Sequence, residues 1–151
     1  MTDVLPYFEI TQEALDFLVE QRQLDGDEKA GVLVGSEFGD NAYRINKASY
    51  PCMCNDSSSR CGCIRDAKLA NDFIQQEYEL SNKTRFYLGE WHTHPEDFPA
   101  PSIVDFRSMK EIIKTGNLPA NTLLLIIVGL KGVYYACYIN GRFHEVNPKV
   151  V

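Results

Sequence analysis

The sequence is poor in positive charge. Its 15 Lys and Arg face 21 Asp and Glu, a net charge of −6, and the cations are scattered. Neutralising nucleic-acid phosphates takes a basic face, so no nucleic-acid partner is expected. Long apolar runs are lacking too. The longest, Leu123 to Leu130, is far short of the about 20 residues that span a bilayer, so no membrane partner is expected. The first residues, MTDVLPYFEI, carry acids and no hydrophobic core, unlike a signal peptide. The expected location is therefore cytoplasmic. There are no repeats or low-complexity stretches, and 151 residues with 44% apolar content suit one domain over 1–151. Histidine is scarce, with three in the chain. Five cysteines are present, and in the cytosol these read as thiols or metal ligands before disulfides.

The elements alternate without the regular order of a doubly wound fold. Tyr7 to Ile10 reads as a strand. Thr11 can cap a helix through about Gln23, with Ala14, Leu15, Phe17, Leu18 and Leu24 at roughly helical spacing. Asp25-Gly26-Asp27 ends it. Gly31 to Gly35 reads as a buried strand, and Gly39-Asp40-Asn41 turns the chain into a partner strand, Ala42 to Tyr50. A cysteine-rich loop runs from Pro51 to Cys63. Asp66 to Leu80 is a second helix, with Leu69, Ala70, Phe73, Ile74 and Tyr78 on its apolar side. Arg85 to Trp91 is a strand leading into His92. Ser102 to Lys114 is a third helix, capped by Ser102 and closed by Gly116. Strands Thr122 to Val128, Val133 to Ile139 and Arg142 to Val146 follow, the last two joined by the hairpin signal Asn140-Gly141. The pattern is α+β, with a mixed, mostly antiparallel sheet flanked by helices.

Two of the three histidines lie in GEWHTHPEDFPAPSIVDF, residues 89–106. In extended chain, residues i and i+2 point to one side, so His92 and His94 present both rings together at a strand end. Pro95 turns the chain away. Asp105 falls in the first turn of the next helix, and the loop from Pro95 to Pro101 is long enough to bring it back to the rings. Two imidazoles and a carboxylate suit zinc, and three protein ligands leave a fourth position for water, the mark of a catalytic site. A histidine pair alone occurs by chance on surfaces. The full string H-x-H-P followed by PS-x-x-D is far more specific.

That string, His92-Thr93-His94-Pro95 with Pro101-Ser102 and Asp105, resembles the signature of the JAMM metalloproteases, the catalytic branch of the MPN domain family. The family's upstream pattern E-x-x-G-x-L-x-G is matched by Glu28-Lys29-Ala30-Gly31-Val32-Leu33-Val34-Gly35. The element order is also similar over nearly the full chain. The resemblance implies a single MPN/JAB domain of the cytidine-deaminase-like type. It implies His92, His94 and Asp105 as zinc ligands, Glu28 as general acid/base and Ser102 as a donor to the oxyanion. It implies a zinc-dependent isopeptidase or peptidase that cuts after the C-terminus of a ubiquitin-like protein, by deconjugation or precursor processing. Compact bacterial members often accompany proteins that look like ubiquitin-activating and ubiquitin-conjugating enzymes, some in anti-phage defence. Such partners would act in trans here. Catalytic chemistry agrees with these roles: zinc lowers the pKa of bound water to about 7, and a nearby carboxylate can move the proton. A non-catalytic MPN scaffold module is the alternative, although those members typically lose zinc ligands. A third comparison, the RadC-type branch, normally has Ser-Gly after the proline, where this chain has Glu96-Asp97.

Other residues have plainer readings. Glu28 sits beside Asp25 and Asp27 and would pass for an exposed loop acid without the glycine pattern. Glu90 is a rival base, read instead as a supporting or structural residue. His144 and Cys137 read as structural. The quartet Cys52, Cys54, Cys61 and Cys63, spaced C-x-C, six residues, C-x-C, departs from the family pattern. It could hold a second, structural zinc, form disulfides, or be ordinary thiols; zinc pairs are usually more widely spaced.

Overall fold

The computed structural model describes residues 4–52, 66–115 and 122–151. Its elements, in chain order, are β1 (Tyr7–Ile10), α1 (Gln12–Glu20), β2 (Ala30–Gly39), β3 (Ala42–Ala48), α2 (Ala67–Leu80), β4 (Phe86–Thr93), α3 (Ile103–Thr115), β5 (Leu123–Val128), β6 (Val133–Ile139), β7 (Arg142–Glu145) and β8 (Lys149–Val150). The strands form one sheet ordered β7-β6-β5-β4-β2-β3-β1-β8. Four neighbouring pairs are antiparallel (β2–β3, β2–β4, β5–β6, β6–β7) and three are parallel (β1–β3, β1–β8, β4–β5). The fold is the α+β class expected, with a mixed, mostly antiparallel sheet.

Alternation along β5 reveals the layers. All six residues of Leu-Leu-Leu-Ile-Ile-Val are buried. Leu124, Ile126 and Val128 join the core under α1, with Ala14 and Leu18. Leu123, Leu125 and Ile127 join Met109 of α3 on the other face. Val32, the neighbour of Leu33, packs with Ala70 of α2 on that second face. The helices therefore cover both faces, which is why β5 shows no polar alternation. Each such buried side chain contributes about 1.5–3 kcal/mol of transfer free energy.

A bulge then aims the histidine strand. Leu33 pairs with Gly89 but Val34 pairs with Tyr87, so β4 carries one extra residue there. As a result Leu88 and Trp91, three apart, both enter the α1 core. Tyr87 and Glu90, also three apart, meet through a hydrogen bond from the Tyr87 hydroxyl to Glu90 Oε2. Gly89 is obligatory at this point: a Cβ there would stand 2.0 Å from the Leu124 carbonyl oxygen of the neighbouring strand.

Several boundaries differ from the sequence reading. Helix α1 stops at Glu20 rather than Gln23, and Leu24 is 75% exposed while Gln23 is buried. The apolar spacing carried the helix too far, because Leu24 belongs to the following turn. Strand β2 runs on to Gly39, past the buried Gly31–Gly35 stretch, because β3 continues to pair with it through Glu37 and Gly39. The short β8 was not expected; it pairs with β1 through Glu9–Lys149 and Ile10–Val150. Gly116, expected to close α3, lies outside the described residues.

Candidate metal centre

Two elements deliver the histidines and the carboxylate. Strand β4 ends at Thr93, and His94 continues extended, its N–H donating to the Val128 carbonyl (3.1 Å). His92 and His94 thus point to one side, with ring centroids 4.9 Å apart. Asp105 comes from the first turn of α3, where it forms a capping box with Ser102. The Ser102 N–H donates to Asp105 Oδ2 (2.8 Å), and the Asp105 N–H donates to Ser102 Oγ (3.2 Å). The reciprocal pair fixes the carboxylate with one oxygen toward the rings.

The loop between these elements is seated on the β5–β6 turn. The carbonyl of Glu96 accepts from Leu130 N–H, and that of Asp97 accepts from the N–H groups of Lys131 and Gly132. Gly129 makes the approach possible, since a Cβ would lie 2.4 Å from Pro99 Cδ and 2.8 Å from the carbonyl oxygens of Glu96 and Asp97.

The polar atoms converge. His92 Nε2 lies 3.1 Å from His94 Nε2 and 3.0 Å from Asp105 Oδ1, and His94 Nε2 lies 3.6 Å from Asp105 Oδ2. Tetrahedral zinc with bonds of about 2.05 Å would set its ligand atoms about 3.3 Å apart. The two shorter separations lie near that value, and one ligand atom from each of the three residues lies within 4.8 Å of the others, so the donor set suits the metal. Among the described residues this is the group of histidine, cysteine and acidic side chains that could hold a metal ion.

Glu28 reaches the same place from the loop before β2. It is buried, and its Oε1 lies 3.6 Å from His94 Nε2. The exposed-loop reading of Glu28 therefore fails. Burial pushes its carboxyl up to about 7; the His92 charge pulls it down, while Asp105 and Glu96 push it further up. Burial likewise lowers the pKa of His94, with His92 adding to the effect, and so favours the neutral imidazole that a metal requires. Burial raises Asp105, but the bond and charge of His92 and the Ser102 N–H outweigh it and hold the carboxyl below its usual range. Glu90 stays on β4 with Tyr87.

The sequence reading missed Glu96 as a site residue. Its Oε1 lies 3.2 Å from His94 Nδ1, which turns His94 Nε2 toward the centre. An acid two residues beyond the second histidine of H-x-H-P, just after its proline, was the available signal. Of the cysteine quartet, Cys52 is described and the other three are not. Its thiol is a free cysteine, buried against Val32 and Ala70, 3.5 Å from Ser49 Oγ and donating to the Tyr50 carbonyl at 3.3 Å. The Asp66 N–H donates to the Cys52 carbonyl (2.6 Å), so the two ends of the cysteine segment meet. Cys137 is buried on β6, as expected.

An α+β domain with H-x-H-P at the end of a central strand and a converging carboxylate from the next helix defines the JAB-type domain. Residues 11–140 match the family of prokaryotic homologues of the JAB domain, and the chain belongs to that family. Its members generally depend on zinc. The chain is 33% identical over 131 residues to an Escherichia coli (strain TW11681) protein named CD-NTase/cGAS isopeptidase, covering 87% of this chain and 80% of that protein. It is 37% identical over 116 residues to a protein of the same name from Vibrio cholerae serotype O1, covering 76% and 70%. A solution structure of a Desulfitobacterium hafniense protein shares the fold, with a TM-score of 0.68, 17% identity, and coverage of 95% of this chain and 91% of that one.

Proposed function

We propose that the protein is a zinc-dependent isopeptidase that hydrolyses the amide bond joining the C-terminus of one protein to a lysine of another. One observation carries the reading: His92, Asp105 and the buried Glu28 each place a polar atom within 3.6 Å of His94 Nε2. The relatives' names favour conjugates of a CD-NTase as the substrate, in place of the wider class of ubiquitin-like conjugates. Activating-like and conjugating-like proteins acting in trans, a cytoplasmic setting and a part in anti-phage defence belong to the same proposal. No helix among the described residues is long and apolar enough to cross a membrane.

In this reading His92, His94 and Asp105 hold the zinc. When bound, zinc supplies Lewis acidity and makes hydroxide available near neutral pH. Glu28 takes a proton from the attacking water and delivers it to the leaving lysine amine. Ser102 accepts from the Asp105 N–H, which leaves its own O–H to donate to the charge developing on the carbonyl oxygen. Glu96 holds the ring of His94. Phe98, Ile103 and Val104, exposed by 74%, 71% and 61%, flank these residues in sequence and support a macromolecular substrate.

The test pairs zinc per chain with cleavage of a lysine-linked CD-NTase conjugate. One zinc is expected, lost together with cleavage in a His92→Ala/His94→Ala variant. Protein that takes up no zinc when it is supplied would defeat the enzyme reading and favour a scaffold module. A second zinc that survives the variant would assign Cys52, Cys54, Cys61 and Cys63 to a structural site.

A further inference from the structure

The residue between the two histidines faces away from them. Thr93 is fully buried, on the opposite side of the strand from His92 and His94. Its Oγ1 accepts from the Lys29 N–H at 3.0 Å, and its own N–H donates to the Lys29 carbonyl at 3.0 Å. The Thr93 hydroxyl donates in turn to Gln23 Oε1, a long bond of 3.4 Å. Gln23 is itself 1% exposed, and its Nε2 donates to the Gly26 carbonyl at 2.9 Å. The directions are mutually consistent, with each hydroxyl or amide using its donor and its acceptor. Both ends of the Gly26–Lys29 loop are therefore tied to one buried polar pair, and Glu28 lies between the ties.

We propose that Thr93 and Gln23 are positioning residues, a buried clasp that sets where the Glu28 carboxylate stands relative to the metal ligands. The consequence for catalysis rests on the isopeptidase reading; the clasp itself does not. Glu28 sits on a loop carrying Asp25, Gly26 and Asp27, with Gly26 at a φ of 76°. Such a segment has little packing of its own to hold a side chain in register. The strand that supplies two ligands also supplies the tie, so base and ligands share one rigid reference. Displacing a reacting group by about 1 Å can cost 10²-fold in rate.

The experiment compares Thr93→Val, which keeps the shape and removes the hydroxyl, with Thr93→Ser, which keeps the hydroxyl. Three quantities are read: bound zinc, amide hydrogen exchange at Lys29, and kcat and KM on the conjugate. Thr93→Val is expected to keep its zinc, exchange Lys29 about tenfold faster and lose about 10- to 100-fold in kcat with KM nearly unchanged. Thr93→Ser should restore both exchange and kcat. Wild-type kcat in Thr93→Val, unaltered Lys29 exchange, or loss of zinc along with activity would each overturn the proposal. If Thr93→Val does not fold, Gln23→Met, which lies off the histidine strand, gives the same readouts. If the wild-type chain cleaves nothing, the isopeptidase reading fails, and the clasp is judged on exchange alone: protection lost in Val and regained in Ser sustains it, and no change removes it.

Discussion

At the scale of single residues, the division of labour at the centre makes distinct predictions. Glu28→Gln keeps the side chain's shape and removes its proton-accepting charge. It should bind zinc as the parent does and lose about 10²–10⁴-fold in kcat, measured on a lysine-linked conjugate. Glu90→Gln should leave most of the activity; the reverse pattern would transfer the base role to Glu90. Ser102→Ala removes a helix cap and, under the proposed mechanism, an oxyanion donor. A cap alone would cost about 1 kcal/mol of stability. Loss of the donor should lower kcat by about 10²–10³-fold as well, so thermal melting and kinetics together separate the roles. The cluster of His92, His94 and Asp105 was legible because H-x-H-P and PS-x-x-D name residue types at fixed spacings. Glu96 left a local signal that was passed over, two residues beyond His94, whereas Thr93 was not legible, since only the fold brings the Lys29 amide to it.

At the scale of elements, the centre depends on a turn that contributes no ligand. Gly129 lets Pro99 and the carbonyls of Glu96 and Asp97 lie against the β5–β6 turn. Gly129→Ala should destabilise the protein by about 1–3 kcal/mol, by the cost of overpacking, and weaken zinc affinity; chemical denaturation and a zinc titration check the two effects. Helices α2 and α3 and the two tight hairpins were readable from periodicity, caps and turn residues. Asn41 and Asn140 indeed adopt φ of 54° and 52°. The parallel pairings β4–β5 and β1–β3 were not readable. Parallel partners are joined by long crossovers, so no local signal marks them. The bulge at Leu88–Gly89 was hidden for a related reason: it is a mismatch between two strands some fifty residues apart in the chain, not a property of either.

At the scale of the whole molecule, a metal held at the centre would be thermodynamically linked to the fold. A metal that binds the folded chain alone stabilises it by RT ln(1 + [L]/Kd), about 2.7 kcal/mol at a hundredfold excess over Kd. For a domain near 150 residues that corresponds to a rise in Tm of about 5–10 °C. Chelation should reverse the rise and abolish cleavage, and the His92→Ala/His94→Ala variant should show neither response. A chelation effect that persists in that variant would locate a second metal, with the cysteine segment as its candidate. The family and fold class were recognisable from the sequence because the two patterns, at Glu28–Gly35 and at His92–Asp105, lie far apart in the chain yet meet in one place.

The placement of β4 has a kinetic consequence. The strand is hydrogen-bonded to β2 on one side and β5 on the other, and both run alongside His92. The backbone at His92 cannot shift without breaking interior sheet, and that at His94 is tied to the Val128 carbonyl. Asp105, by contrast, rides on the first turn of α3, where Ile103 and Val104 are exposed and the capping box and Phe106, against Tyr138 and Phe143, are the local restraints. Fraying of one helical turn is thus the low-barrier route by which a bound ion would leave, and the histidines would stay behind as a waiting half-site. The residence time of the ion would then follow the stability of that turn: a weakened Ser102 cap would shorten it, while rebinding would remain fast.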